Sequence, residues 1–493
     1  MAGIGFELKK IFKNNGGIFN SLKGYSVTAA VTEGPMLLTI LMLFVMRYML
    51  TQFGASYREQ EIFLFTVTYV MIFSMIFSNA MLMFLDRYIS DCVYKQKTKN
   101  IMASFYASTF FLLIIGGTIA FIYLLTIPMS WWYRIAALIQ FSSMMIMWLQ
   151  ISYLSVLKQY TFVLIGFLSG TVMSIVTAGL LMYLGFDLLL SALWGVALGF
   201  VVMLFLFMVQ MLAHYPVGDF NLFVCFSALD EHKILIPTGF FMGLGLFAHN
   251  FVIWCSEFRN HVFPTGVYCS KYDVPVFFAT LVITPLLVQF VVSLETNFSR
   301  RNRVYFDTIL YGGRLEDIKA AKKEMEVTLY RELAHMLEVQ LIFTIIAVTL
   351  LGNILNRLGL DTEMIGIYRV LCFGYCFYGV FKSFTIILLY FDDKIGACIA
   401  SILFVVCSTV FTIVTLYTGI STWGVGFLAA AVVSSVYALV RLYFYLKKLE
   451  YHVFCKQQMF RSDEKGIFTL LEERIKKFER DFKQRSKESA KSE

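Results

Sequence analysis

Four ionisable side chains interrupt stretches of this sequence that are otherwise apolar enough to cross a bilayer, and any chemistry inside a membrane would fall to them. Glu33 stands directly before Gly34 and Pro35, His249 is followed by Asn250, and Arg369 and Lys382 share one apolar stretch. An ionisable group at the bilayer centre costs on the order of 2.5–3.5 kcal/mol on insertion scales, so each needs a partner or a function. Glu33 and Lys382 lie at matching depth, roughly eight residues or about 12 Å from the same membrane face. They could pair across a cleft, neutralising both charges in one conformation and releasing them in another. Each could instead be satisfied alone, by water or by the Lys stem reaching the interface. His249 could relay protons near neutral pH, or simply hydrogen-bond to a neighbouring helix. Pro35 has no amide proton and Gly34 loosens the backbone, so the first stretch is expected to kink and to turn freed carbonyls toward a cavity. Together Glu33, Gly34, Pro35, His249, Asn250, Arg369 and Lys382 read as a substrate path or gate.

Other chemistries find no residues. The sequence has no GxxxxGK[ST] phosphate loop, no HExxH helix and no GxSxG elbow, so no catalytic residue, metal or cofactor is expected. The nine Cys are scattered without a CxxC pair. Cys255 and Cys269 flank one predicted outer loop and could pair in an oxidising compartment, or remain thiols. Asp392 and Asp393 form an adjacent acidic pair that reads as a solvated helix end rather than a metal site.

The elements that must position these residues are membrane helices. Hydrophobic residues make up 59% of the chain and charged ones 15%, with a mean hydropathy of +0.72, whereas soluble domains are about 25% charged. No cleavable signal pattern precedes the first apolar stretch, which is expected to be retained as an anchor. Spans are predicted near residues 25–46, 62–85, 103–124, 135–156, 162–184, 188–212, 234–254, 274–294, 336–354, 365–390, 396–416 and 425–446. With an inside N-terminus, and counting Arg441 with the tail, 33 Lys and Arg fall on the inner side and six on the outer. Both termini are therefore expected in the cytoplasm. The net charge of +8 thus belongs to helix ends rather than to a nucleic-acid surface. A polar linker, residues 213–233, separates an N-terminal lobe of six spans, 1–212, from a C-terminal lobe of six, 234–450. Trp131 and Trp132 sit where an interfacial belt would be.

Two segments on the basic side look amphipathic. Leu315, Ile318, Met325 and Leu329 recur at helical spacing within residues 295–333, and Phe468, Leu471, Ile475, Phe478 and Phe482 do so within the charged tail, 451–493. Such helices lie on an anionic inner leaflet or dock a cytosolic enzyme. Arg300, Arg301, Arg303, Lys319, Lys322 and Lys323 are read as partner-facing.

Ordered strings along the chain carry a resemblance. The opening Met1-Ala2-Gly3-Ile4-Gly5-Phe6-Glu7-Leu8-Lys9-Lys10, then Gly34-Pro35, Arg87-Tyr88-Ile89-Ser90-Asp91, Tyr272-Asp273-Val274-Pro275, Glu295-Thr296-Asn297-Phe298, Leu388-Leu389-Tyr390-Phe391-Asp392 and Leu449-Glu450-Tyr451 resemble, in order, the PelG family of multispanning inner-membrane proteins. The similarity covers residues 1 to about 457 and leaves the tail beyond Arg461 outside it. It implies an all-α fold like that of the polysaccharide-flippase and multidrug-exporter superfamily, with two six-helix lobes around a central cavity. It also implies passage of a cationic, hexosamine-rich Pel exopolysaccharide across a bacterial cytoplasmic membrane. The expected partners are the cytosolic glycosyltransferase PelF and the inner-membrane proteins PelD and PelE. Two other functions fit the same spans: a membrane scaffold that activates the glycosyltransferase, and an ion-coupled small-molecule antiporter working through Glu33 or His249.

Overall fold

A computed structural model describes residues 34–157, 160–216, 223, 225–357, 361–455, 470 and 474. Among them, eleven helices are long and apolar enough to span a membrane. A further apolar helix, α1 (Gly34–Gln52), precedes them. The first six apolar helices continue with α2 (Tyr57–Tyr94), α3 (Lys99–Thr126), α4 (Trp131–Val156), α5 (Tyr160–Tyr183) and α6 (Leu188–His214). A short helix α7 (Phe226–His232) leads to α8 (Leu235–Trp254). A two-stranded hairpin follows, β1 (Asn260–His261) against β2 (Val267–Tyr268), and then α9 (Ser270–Ser293) and α10 (Ser299–Leu310). The chain closes with α11 (Leu315–Leu355), α12 (Thr362–Tyr390), α13 (Lys394–Thr418), α14 (Val425–Lys447) and α15 (Leu449–Phe454).

Local chemistry sets the boundaries. At the start of α2, Ser56 and Glu59 form a reciprocal capping box, each side chain bonding the other's backbone N–H, which satisfies donors the first turn would leave bare. Asp187 caps α6 through Leu190 N at 2.9 Å and Asp393 caps α13 through Gly396 N at 3.1 Å. Two helices outrun the apolar stretches that announce them. α2 extends past both ends of 62–85, and α11 fuses the expected amphipathic segment to the span at 336–354. α2 contains no Gly or Pro and α11 none before Gly352, so nothing stops the backbone where the side chains turn polar. By contrast α9 carries Pro275 inside its first turns and a 3₁₀ turn at Leu281–Ile283. Single π-turns interrupt α3 at Leu113–Gly117 and α11 at Ala347–Leu351.

The buried apolar residues fall into two clusters. One is built from α1 to α6 and the other from α8 to α15. Few residues cross over: Ile72 and Ile76 of α2 belong to the second cluster, and Leu235, Val262 and Phe263 to the first. The halves therefore meet along α2 and α8, with the β-hairpin reaching over. Outward rings and aliphatic chains such as Phe121, Val176, Leu180, Ile399 and Val406 remain exposed, as lipid-facing surfaces require. Trp131 and Trp132 are exposed as well, with the Arg134 guanidinium 4.8 Å above the Trp131 ring.

Candidate functional site

Sequence dictates how closely α2 and α8 can approach. Gly239 and Gly243 lie one turn apart on α8, both against Asn79 of α2. A Cβ on Gly239 would sit 2.0 Å from the Asn79 carbonyl oxygen, and one on Gly243 would sit 3.1 Å from Asn79 Cβ. Only glycine allows backbones to cross this closely. The seam runs both ways from the crossing, toward an end bearing the β-hairpin and an end rich in Lys and Arg.

At the hairpin end the contacts are aromatic. The Phe263 ring packs edge-on against Phe65 at 5.7 Å and Tyr133 at 6.3 Å. Tyr69 donates its hydroxyl proton to Val267 O at 2.6 Å and accepts from Val267 N at 3.3 Å. The Tyr268 hydroxyl donates to Glu61 at 2.5 Å. Beneath the hairpin, the Trp254 ring lies parallel to Tyr69 at 5.0 Å and 6°.

Asp273 holds that tryptophan. Its carboxylate accepts from Trp254 Nε1 at 2.9 Å, Asn250 Nδ2 at 2.7 Å and Cys269 N at 2.9 Å. Three donors satisfy the charge without a counter-cation. Beside it, His249 Nδ1 bonds the Tyr272 hydroxyl at 2.8 Å. Of the two readings of His249, the structure supplies the neighbouring-helix hydrogen bond. His249 Nε2 and Asn250 Oδ1 are buried without a partner among the described residues.

At the basic end the contacts are ionic. Arg87 and Asp91, one turn apart on α2, pair at 3.5 Å. Arg87 also reaches Asp392 at 4.0 Å, and Lys394 reaches Asp392 at 3.3 Å. Between them His232 bridges the halves, with Nε2 at 3.3 Å from Asp91 and Nδ1 at 3.0 Å from Lys394 Nζ. The Lys ammonium can only donate, so Nδ1 must accept and Nε2 carries the proton: a neutral imidazole relays Lys394 to Asp91. Burial, reinforced by the Lys394 charge, pushes the His232 pKa below its ordinary value against the opposing pull of Asp91.

The residues expected to line a path are thus dispersed. His249 and Asn250 join Tyr272 and Asp273 beside the seam. Arg369 is exposed on α12, its guanidinium over Gly352 of α11, and Lys382 is half-buried on α12. Gly34 and Pro35 open α1, while Glu33, and with it the question of its pairing with Lys382, lies outside the described residues. Arg300, Arg303, Lys319 and Lys323 are exposed, as is Arg301, which pairs with Glu324 at 2.6 Å. Lys322 is a correction: it is buried, not partner-facing, with its ammonium 3.6 Å from Glu450, 3.8 Å from Glu326 and 3.3 Å from Lys447 O. Its place among the buried Ile318, Met325 and Leu329 on α11 turns it inward. Asp393 is another correction. Only Asp392 is solvated; Asp393 is buried in a bidentate pair with Arg441 at 2.7 and 3.0 Å. Cys255 and Cys269 are both free thiols, the first exposed and the second buried. The tail's amphipathic pattern, Phe468, Leu471, Ile475, Phe478 and Phe482, lies outside the described residues.

Hydropathy missed Asp273, the carboxylate that gathers the Asn250, Trp254 and Cys269 donors, because it lies one residue outside the predicted span. The available signal was Asn250 and Trp254, two donors four residues apart on one helix face. No curated protein matches the chain in sequence. Solved structures do match in fold. A multidrug-resistance MATE-family transporter of the MOP superfamily, in an outward-facing conformation, aligns over 90% of this chain and 98% of its own at 11% identity and a TM-score of 0.59. A MOP-superfamily transporter from Pyrococcus furiosus aligns over 90% and 98% at 13% identity and 0.61. A MATE protein in complex with MaL6 aligns over 86% and 97% at 14% identity and 0.60. The all-α, two-ended architecture is therefore a MATE-like transporter fold, and the family model described as PelG, of proposed exopolysaccharide exporters (EPS-E), matches residues 1–454. The chain belongs to the PelG family.

Proposed function

We propose that this protein carries an exopolysaccharide of the Pel type, a cationic hexosamine-rich polymer, across the cytoplasmic membrane of a bacterium. The polymer passes between the two halves as the hairpin end and the basic end open. In this reading the basic end faces the cytoplasm, consistent with the bias of Lys and Arg. A PelF-like glycosyltransferase delivers the polymer there, with PelD and PelE as membrane partners. The observation that carries the reading is the seam itself: α2 and α8 touch backbone to backbone at Gly239 and are bridged at each end by contacts that can break without unfolding either half. Family membership supports an exopolysaccharide as the cargo. The carboxylate of Asp273 beside the aromatic seam suits a polymer carrying positive charge.

A second reading, a scaffold that activates the synthase without forming the route, draws support from the exposed Arg300, Arg303, Lys319 and Lys323 on the basic end. One experiment separates the two. The chain is placed in vesicles with its basic end outward, together with the synthase and nucleotide sugar, and an external glycosidase is added. Export leaves polymer protected inside the lumen. Scaffolding gives polymer that is made faster yet fully digested.

A further inference from the structure

The orientation of the rings along the seam is not required for holding two helices together. Aromatic pairs settle edge-to-face or offset-stacked, and both kinds occur inside the halves, as in Phe105 with Tyr153 at 77° and Phe381 with Phe404 at 30°. Phe263 crosses the seam edge-on, whereas two other pairs that cross it are nearly parallel. Tyr69 faces Trp254 at 5.0 Å and 6°, and Phe73 faces Phe251 at 5.6 Å and 21°. Tyr123 extends the first stack, lying against Tyr69 at 6.0 Å and 15°.

These ring planes are fixed from behind. The indole is held by its Nε1 donation to Asp273, and the Tyr69 ring is backed within its own half by Tyr123 and Phe65. Tyr69 and Phe73 stand four residues apart on α2, a rise of about 6 Å. When the halves separate, two flat apolar faces on each side become available, already oriented and one above the other.

We propose that the Tyr69–Trp254 and Phe73–Phe251 pairs form a collapsed sugar-stacking site, which opens to take successive pyranose rings of the transported polymer between them. This rests on the export reading and names the contact through which it acts. The axial C–H face of a pyranose is flat and apolar and meets an aromatic ring by dispersion at about 3.5–4.0 Å. A sugar held between two rings therefore needs about 7–8 Å, some 3 Å more than Tyr69 and Trp254 now leave. Tyr69 lies ten residues from Asn79, about 15 Å along α2, so a rotation of roughly 11° about the glycine crossing supplies that gap. Stacking on a C–H face depends on no particular hydroxyl, so each sugar can move on to the next ring pair, as passage of a polymer requires.

The test uses the full-length chain in detergent, with the glucosamine tetramer and the N-acetylglucosamine tetramer as probes in calorimetric titration. Tyr69→Leu, Phe73→Leu and Trp254→Leu keep apolar bulk but remove the ring face; each is expected to weaken binding about five-fold, with a matching loss of surface polymer in cells. A Tyr69→Cys variant gives a second readout that does not depend on the Leu variants folding: the tetramer should slow maleimide labelling at position 69. Parental affinity and export in the Leu variants, or labelling unaffected by the tetramer while the parent binds it, overturns the stacking site and leaves export standing. A parent chain that neither binds a tetramer nor exports polymer overturns the export reading along with it.

Discussion

At the hairpin end the two halves meet through stacked rings and the hairpin's hydrogen bonds to Tyr69 and Glu61; at the basic end they meet through four charges and an imidazole. The first closure buries mainly apolar surface, whose attraction is not an ion pairing that salt screens, with the Glu61 carboxylate at its edge. The second lies among side chains such as Arg87 and Asp392 that are about half exposed, where ion pairs contribute about 0–1 kcal/mol and are screened. The same seam is therefore firm at one end and adjustable at the other. A transporter built this way rests on its aromatic closure and is biased through its ionic one.

The largest effect should come from removing the ring that seats the hairpin. Phe263→Ala deletes a buried side chain wedged between Phe65 and Tyr133, a loss of about 3–5 kcal/mol when the surroundings cannot collapse. Cys269, at the foot of the hairpin, reports the outcome. Burial pushes its thiol up to about 11, so it should resist alkylation while the hairpin is seated. In a Cys255→Ser background, labelling of Cys269 followed by mass spectrometry should accelerate by about 100- to 1,000-fold or more in the variant, since 1.4 kcal/mol is a factor of ten. An unchanged rate would show that the hairpin is held by something other than this ring.

A smaller effect is expected at the opposite end. Lys394→Ala removes the donor to His232 and the partner of Asp392, a change of about 1 kcal/mol. Spin labels at Val93 and Ile395, both exposed beside the cluster, should show the longer-distance population rise roughly five-fold. Raising salt to about 1 M should produce much of the same shift in the parent, where the Debye length falls to about 3 Å. If Phe263→Ala responds to salt as strongly as the parent's basic end does, the contrast between the two closures is lost.

Much of this was legible in the sequence, and what was not has identifiable causes. Long apolar stretches located the helices, because a bilayer forces every backbone group to bond within its own segment. Their ends were less legible: α2 and α11 continue into polar sequence because hydropathy reports lipid contact and not the absence of a helix breaker. His249 and Asn250 were visible as polar residues in an apolar stretch, but their partners Tyr272 and Asp273 belong to the next helix. Lys322 and Asp393 misled for the opposite reason, since a charge in a polar segment looks solvated until Glu450 or Arg441, both distant in sequence, is folded against it. The stacked pair of Tyr69 and Trp254 could not be read at all, because Phe, Tyr and Trp make up 17% of the chain and no spacing distinguishes these two.

The smallest effect, and the one that isolates a single atom, is titration of the basic end. His232 is faced by Asp91 and Arg87 of α2, and by Lys394 and Asp392 at the turn into α13. Its closed-state pKa lies below the ordinary value of about 6.5, because burial and the Lys394 charge outweigh Asp91. The open state therefore binds a proton more readily than the closed one. Closure contributed by this residue is complete above about pH 6.5 and is lost as pH falls toward the depressed value. Protonation at Nδ1 would set a donor against the Lys394 ammonium, so the bridge breaks where the two halves meet. Labels at Val93 and Ile395 should report more open protein at pH 5.5 than at pH 7.5. His232→Gln can still donate to Asp91 and accept from Lys394 but does not titrate, and should remain closed at both values. A response to pH that survives in His232→Gln would assign the titration to another group and remove the imidazole from the closure.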